Sequence, residues 1–97
     1  MADVRFTARA EADLIRIAEY TLHFWCETQK IRYVRAIQAC CLQLAENPAL
    51  GRACEDIRPG LRRMKEGRHV IFYRATENGI AVSRILHQSM LPQGRIR

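Results

Sequence analysis

The hydrophobic positions along this chain change period once, helical in the first half and strand-like in the second. Between Ala8 and about Trp25, apolar side chains recur at Leu14, Ile17, Ala18, Phe24 and Trp25, the spacing of one helix face. Ile15 and Leu22 form a second stripe beside it, which is more apolar width than a surface helix needs. Thr7 offers an N-cap hydroxyl, and Glu11 and Asp13 lie near the helix end whose dipole favours acids. Ahead of this helix, Val4-Arg5-Phe6 alternates as a short strand would. After a break at Cys26-Glu27-Thr28, a second helix is expected over roughly 28–46. Its apolar face is Ile31, Val34, Ile37, Cys41, Leu44 and Ala45, with Arg32, Arg35, Gln38 and Gln43 elsewhere around the wheel. Asn47-Pro48 stops it, because proline pushes the residue before it out of the α region and asparagine tolerates a left-handed cap. So short a connection makes the two helices antiparallel neighbours, a helical hairpin.

Ala49 to Gly60 reads as a loop. Beyond it Leu61–Lys65 alternates, Glu66-Gly67 turns, and Arg68–Arg74 passes through Val70-Ile71-Phe72-Tyr73 with both parities apolar, the mark of a central strand covered on both faces. Glu77-Asn78-Gly79 predicts a hairpin whose Asn-Gly takes positive φ. The last strand alternates, with Ile80, Val82 and Leu86 on one side, Ala81, Ser83 and Ile85 on the other, and Arg84 breaking the first set. The order β-α-α-β-β-β predicts an α+β fold in one domain over residues 1–97: a helical hairpin packed on a three- to four-stranded, mainly antiparallel sheet.

Charge changes the picture more than composition does. Residues 1–48 balance six cations with six anions, whereas residues 49–97 carry ten against four, so the net +6 lies wholly in the second half. Fourteen of the sixteen cations are arginine, the side chain suited to bidentate contacts with carboxylates and phosphates. An acidic partner is therefore expected to meet the C-terminal half. No run of about 18 apolar residues is present to span a membrane. The opening Met1-Ala2-Asp3-Val4-Arg5 lacks the basic and apolar regions of a signal peptide, so a cytoplasmic location is expected. Cys26, Cys40, Cys41 and Cys54 show no CxxC spacing, and with His23, His69 and His87 they make no zinc-ligand pattern. They are expected to be reduced, mostly buried thiols, and neither a metal nor another cofactor is expected.

Three stretches carry a resemblance: "VRFTARAEADL" (4–14), "NPALGRACEDIRPGLRRM" (47–64) and "GRHVIFYRATENGIAVSRILHQSM" (67–90). With the hairpin between them they cover nearly the whole chain, and it resembles the RelE/ParE superfamily of toxin–antitoxin systems, in its ParE-type branch. That resemblance implies a helical hairpin on an antiparallel sheet. It also implies a cytoplasmic bacterial toxin neutralised by a ParD-like antitoxin, with DNA gyrase as the usual target of the branch.

The superfamily serves two activities, so the residues must decide. RelE-type members resemble ribosome-dependent endoribonucleases, and cutting RNA through its 2′-hydroxyl needs a base, an acid and cations around the phosphorane. Arg62, with Arg63 or Lys65, lies on one strand, Arg84 on another, and His87 follows. After His87 the segment Gln88 to Arg97 holds no tyrosine, histidine, lysine or carboxylate. Tyr73 qualifies as a proton carrier only if it faces the cations, and a central strand favours a core role. Arginine stays protonated and carries protons poorly. No catalytic residue is therefore assigned, and a ribonuclease is the alternative reading. His87 has a second role open to it, closing the strand end on backbone; His69 is expected to be exposed or paired with Glu66, and His23 to lie on the surface.

Two binding surfaces are expected instead. Ile15, Tyr20, Leu22 and Phe24 are assigned to an antitoxin tail of mixed acidic and apolar character, which would order as it binds, with Arg62 and Arg63 holding its carboxylates. Arg84 and His87 with the tail residues Arg95, Ile96 and Arg97 are assigned to the target. DNA contact is expected only through the antitoxin, since the sheet shows no exposed aromatic stacking pair and the chain no helix-turn-helix signal.

Overall fold

The computed structural model describes residues 2–24 and 26–91, excluding the side chains of residues 21–24. Strand β1 (Asp3–Phe6) leads into helices α1 (Ala8–Phe24) and α2 (Glu27–Glu46); β2 (Arg52–Ala53), β3 (Leu61–Glu66), β4 (His69–Ala75) and β5 (Gly79–His87) follow. Short 3₁₀ turns occupy Pro48–Leu50 and Gln88–Met90. The sheet has five strands in the order β1-β5-β4-β3-β2, with β1 parallel to β5 and the other pairs antiparallel. The expected hairpin and antiparallel meander are present. The fifth strand is β2, two residues inside the stretch read as loop, too short to register as alternation.

Both helices cover one face of the sheet. Ala10 and Ile17 of α1 and Ile37, Cys41 and Leu44 of α2 pack on Ile71, Tyr73, Ile80, Val82 and Ile85. The other face carries a smaller cluster, in which Val70, Phe72 and Leu86 meet Cys54 and Leu61, with Ile57 and Leu91 at its rim. This explains why β4 is apolar at both parities. Cys40, Cys41 and Cys54 are buried free thiols and Cys26 is exposed. Burial pushes Cys41 up to about 12, so it stays protonated and packs as an apolar group.

Three local expectations are corrected. The pairing of β4 with β5 shifts between Phe72 and Tyr73, so Ser83 is an extra residue in β5. After that bulge, Ile85 joins Ile80 and Val82 against the helices while Leu86 turns to the opposite face, reversing the assignment of Leu86 and Ile85. Gly79 is not at positive φ and neither is Asn78. Gly79 is required because a Cβ there would fall on the Asp3 carbonyl of the adjoining β1. Asn47 ends α2 at φ −145, so the steric restriction before Pro48 operates without a left-handed cap.

Tyr73 is a core residue. Its hydroxyl donates to the Pro48 carbonyl at 2.7 Å and accepts the Gly51 amide at 2.8 Å, while Arg62 donates to the Gly51 carbonyl at 2.6 Å. These bonds pin the segment that becomes β2 against the sheet. Replacing Tyr73 with Phe leaves two buried backbone groups unpartnered, and is expected to lower unfolding free energy by about 2 kcal/mol in urea titration with an unchanged m-value.

Candidate functional site

β1 is short and pairs only with Gly79–Val82, so among the described residues no strand covers the remainder of that edge of β5. Helix α1 takes over. The Thr7 amide donates to the Val82 carbonyl at 3.0 Å and its hydroxyl to the Ser83 carbonyl at 2.9 Å. The same oxygen accepts the Ala10 amide at 3.1 Å, the N-cap expected from sequence. Two turns on, Asp13 meets the edge. It is only 3% exposed, and its Oδ2 accepts the Ile85 amide at 3.0 Å and Arg84 Nε at 2.8 Å. Its Oδ1 accepts Arg84 Nη2 at 3.1 Å and Arg16 Nη2 at 2.8 Å.

A buried carboxylate needs such company. Burial by itself would raise its pKa, but the hydrogen bonds from Arg84, the Ile85 amide and Arg16 outweigh that and hold Asp13 below its ordinary 3.8. Arg16 is 66% exposed, so its leg is weakly stabilising. Arg84 and the Ile85 amide supply most of the effect. The guanidinium that sequence analysis offered to a target or a scissile phosphate is already bound within the fold. Ala10, Asp13 and Ile17 form the buried stripe of α1, so an acid stands inside an apolar face. Its strand counterpart is Arg84, a cation inside an apolar strand. Those paired interruptions were the signal in the sequence, and neither was read as half of a pair.

His87 lies on the other side of β5. Arg84 lines a cavity on the outer sheet face with Phe72 and Leu61, whereas His87 lines a groove of about 320 Å³ beneath α1 with Ile17, Tyr20, Ile85 and Met90. The two side chains therefore do not converge on one substrate position. His87 Nδ1 accepts the Ser89 amide at 3.1 Å, with Ser89 Oγ 2.8 Å away, closing the strand end on backbone. Its ring meets His69 edge-on, with centroids 5.1 Å apart.

His69 is buried rather than exposed, and its Nδ1 lies 2.5 Å from Tyr33 Oη, not paired with Glu66. Because the Arg68 amide donates to Tyr33 Oη at 3.1 Å, the phenolic proton points to His69 Nδ1. Burial, then the neighbouring His87, push His69 down to about 4, so it is neutral at physiological pH and locks α2 to the turn before β4.

Of the expected antitoxin contacts, Ile15 (61%) and Tyr20 (63%) are exposed. Five residues separate them, about 140° around a helix, so they do not form one stripe. Tyr20 borders the His87 groove and Ile15 does not. Arg62 and Arg63 face opposite sides of the sheet, Arg62 against the Gly51 carbonyl and Arg63 on the outer face beside Lys65. The side chains of Leu22 and Phe24 and the residues Arg95, Ile96 and Arg97 lie outside the described residues. Among the described residues no group of three or more metal-binding side chains assembles, and no helix is long and apolar enough to cross a membrane.

The Asp13 knot has a pH signature. Its folded pKa lies below the unfolded value, so its contribution is complete above the ordinary carboxylate range and is lost as pH falls through the lowered pKa. Asp13→Ala is expected to cost about 3 kcal/mol in denaturant titration at neutral pH. The difference from wild type should shrink steadily on acidification below pH 4; a constant difference would show that the carboxylate charge is not what matters.

Comparison with known proteins places this geometry in context. The family described as "ParE toxin of type II toxin-antitoxin system, parDE" matches residues 4–92. Toxin ParE1 of Mycobacterium tuberculosis is 44% identical over 82 residues, 84% of this chain and 84% of that protein. Toxin ParE1 of Caulobacter vibrioides is 40% identical over 90 residues, 93% of each. A solved structure described as the chromosomal ParDE TA system from P. aeruginosa matches with a TM-score of 0.73 at 20% identity, covering 90% of this chain and 96% of that one; this likeness shows the fold.

Proposed function

The chain belongs to the ParE toxins of type II toxin–antitoxin systems, and on that premise we propose that it arrests growth by binding its target, DNA gyrase, in the cytoplasm without performing bond chemistry. In this reading it holds gyrase in a DNA-cleaved state, and a ParD-like antitoxin neutralises it. The observation that carries the non-enzymatic part is the engagement of Arg84 by Asp13 at 2.8 Å, on the opposite side of β5 from His87. A ribonuclease needs a cation and a proton carrier at one phosphate.

The antitoxin tail occupies the groove between α1 and the strand-free edge of β5. Tyr20 and Met90 offer exposed apolar contacts there, and Arg16 stands at the rim for an acidic side chain. This narrows the broader apolar set to Tyr20 and the groove and leaves Arg62 with a structural role. The tail Arg95-Ile96-Arg97 engages the target, two cations around one apolar anchor.

Inducing the toxin without its partner, and assaying chromosome breaks and mRNA cleavage in parallel, tests the activity. Breaks with intact message are expected; cleaved message that disappears in His87→Ala would establish the ribonuclease reading instead. The division of surfaces has its own test in pull-down and growth assays. Deleting Gly94–Arg97 is expected to abolish growth arrest while leaving antitoxin binding intact, and Tyr20→Asp to weaken antitoxin binding more than tenfold, or about 1.4 kcal/mol. Loss of both functions in either variant would sink the division.

A further inference from the structure

The face of the sheet away from the helices gathers the chain's excess charge. Register and alternation put Arg5, Arg52, Arg63, Lys65, Arg74 and Arg84 on it, with Asp3 the strand-borne carboxylate on the same face. At one end lies a cavity of about 320 Å³ lined by Thr7, Arg9, Arg58, Leu61, Phe72, Arg74, Ser83 and Arg84. Its four guanidiniums come from α1, the loop before β3, β4 and β5, and no carboxylate lines it. Asp13 neutralises Arg84, but among the described residues no carboxylate lies within ion-pair distance of Arg9, Arg58 or Arg74. All three of those side chains are exposed. Holding three unpaired like charges around one concavity is unfavourable unless an anion joins them.

We infer that this cavity is a phosphate-binding site for the backbone of a nucleic acid, read without regard to base sequence. Three arguments select that ligand. Guanidinium forks at Arg9, Arg58 and Arg74, with the hydroxyls of Thr7 and Ser83 beside them, suit the several acceptor oxygens of a phosphodiester. The apolar floor is sealed, with Phe72 only 2% exposed and Leu61 6%, so the cavity has neither a stacking platform for a base nor a pocket for a peptide's apolar side chain. An acidic peptide would be left with screened surface pairs worth little each, whereas a polyphosphate chain releases condensed counterions along its length. The track continues along β3, where Arg63 and Lys65 with Arg52 line a second cavity of about 430 Å³. From Leu61 to Lys65 the strand advances about 13 Å at ~3.3 Å per residue, beyond the reach of a single phosphate group.

This goes beyond the growth-arrest reading and does not rest on it, since a chain that never touched gyrase would keep the cavity. It also revises the expectation that DNA is met only through the antitoxin. The four arginines are scattered through the sequence and only the folded sheet assembles them.

The test is fluorescence anisotropy of the purified full-length chain with a labelled single-stranded oligonucleotide, between roughly 50 and 200 mM salt. Binding should weaken with salt. The double variant Arg58→Ala/Arg74→Ala should bind about tenfold more weakly, with a salt slope smaller by about 1.4, the loss of two phosphate contacts on a single strand. Arg32→Ala/Arg35→Ala, on the exposed side of α2, should match wild type. Deoxy- and ribo-oligonucleotides should bind within about twofold of each other, because no contact to the 2′-hydroxyl is invoked. On the wild-type chain, titration should shift the Arg58 and Arg74 Nε–H resonances and leave those of Arg32 and Arg35 in place. An unchanged affinity and slope in the Arg58/Arg74 variant would overturn the site. So would a mononucleotide that binds as tightly as the oligomer, or polyglutamate that displaces the oligomer at equal charge.

Discussion

One buried carboxylate ties the helical layer to the sheet. Asp13 accepts the Ile85 amide, two nitrogens of Arg84 and one of Arg16, and so occupies the position along β5 that a further strand residue would take. The edge beyond Val82 needs such a partner because β1 has already ended. A free strand edge invites pairing with other chains, and a side chain on its exposed N–H blunts that tendency. The arrangement also fixes where α1 lies, since Thr7 holds the Val82 and Ser83 carbonyls one step earlier. From Thr7 to Asp13 the helix start is fastened to the strand by polar bonds, and Ile17 then enters the apolar core.

The bulge at Ser83 gives that knot its geometry. With one extra residue, Ile85 returns to the helix-facing core while Arg84 sits across from Phe72 on the outer side, close enough to the edge to reach around to Asp13. The same step separates Arg84 from His87 and directs them to different cavities. The sheet therefore presents two surfaces of different character. Under α1 is an apolar groove bordered by Tyr20 and Met90, and on the outer face a field of arginines over a sealed apolar floor. A toxin that must be silenced by one protein and engage another partner gains from keeping such surfaces apart.

Histidine chemistry is quiet in this fold. His69 donates nothing to solvent chemistry while buried against Tyr33, and His87 uses Nδ1 to close the strand end on Ser89. Tyr73, the remaining candidate proton carrier, holds Pro48 and Gly51 in the core. Each side chain that would populate an acid–base site is engaged in holding a junction between elements, which fits a protein acting through contact.

The periods of the apolar pattern, 3.6 and then 2, were enough to determine the helical hairpin, the three long strands and their order, because burial of one face is enforced residue by residue along the chain. Motif order in residues 47–64 and 67–90 carried the family in the same local way. The tertiary structure alone decided the features set by distant partners. Asp13 and Arg84, 71 positions apart, each looked like a flaw in an apolar pattern until the fold brought them together. β2 exists because Tyr73 and Arg62 hold Gly51, and Gly79 is glycine because β1 lies against it, a contact no turn rule contains. Which face each arginine occupies depended on a single extra residue at Ser83, since strand faces alternate with period two and one insertion reverses everything after it.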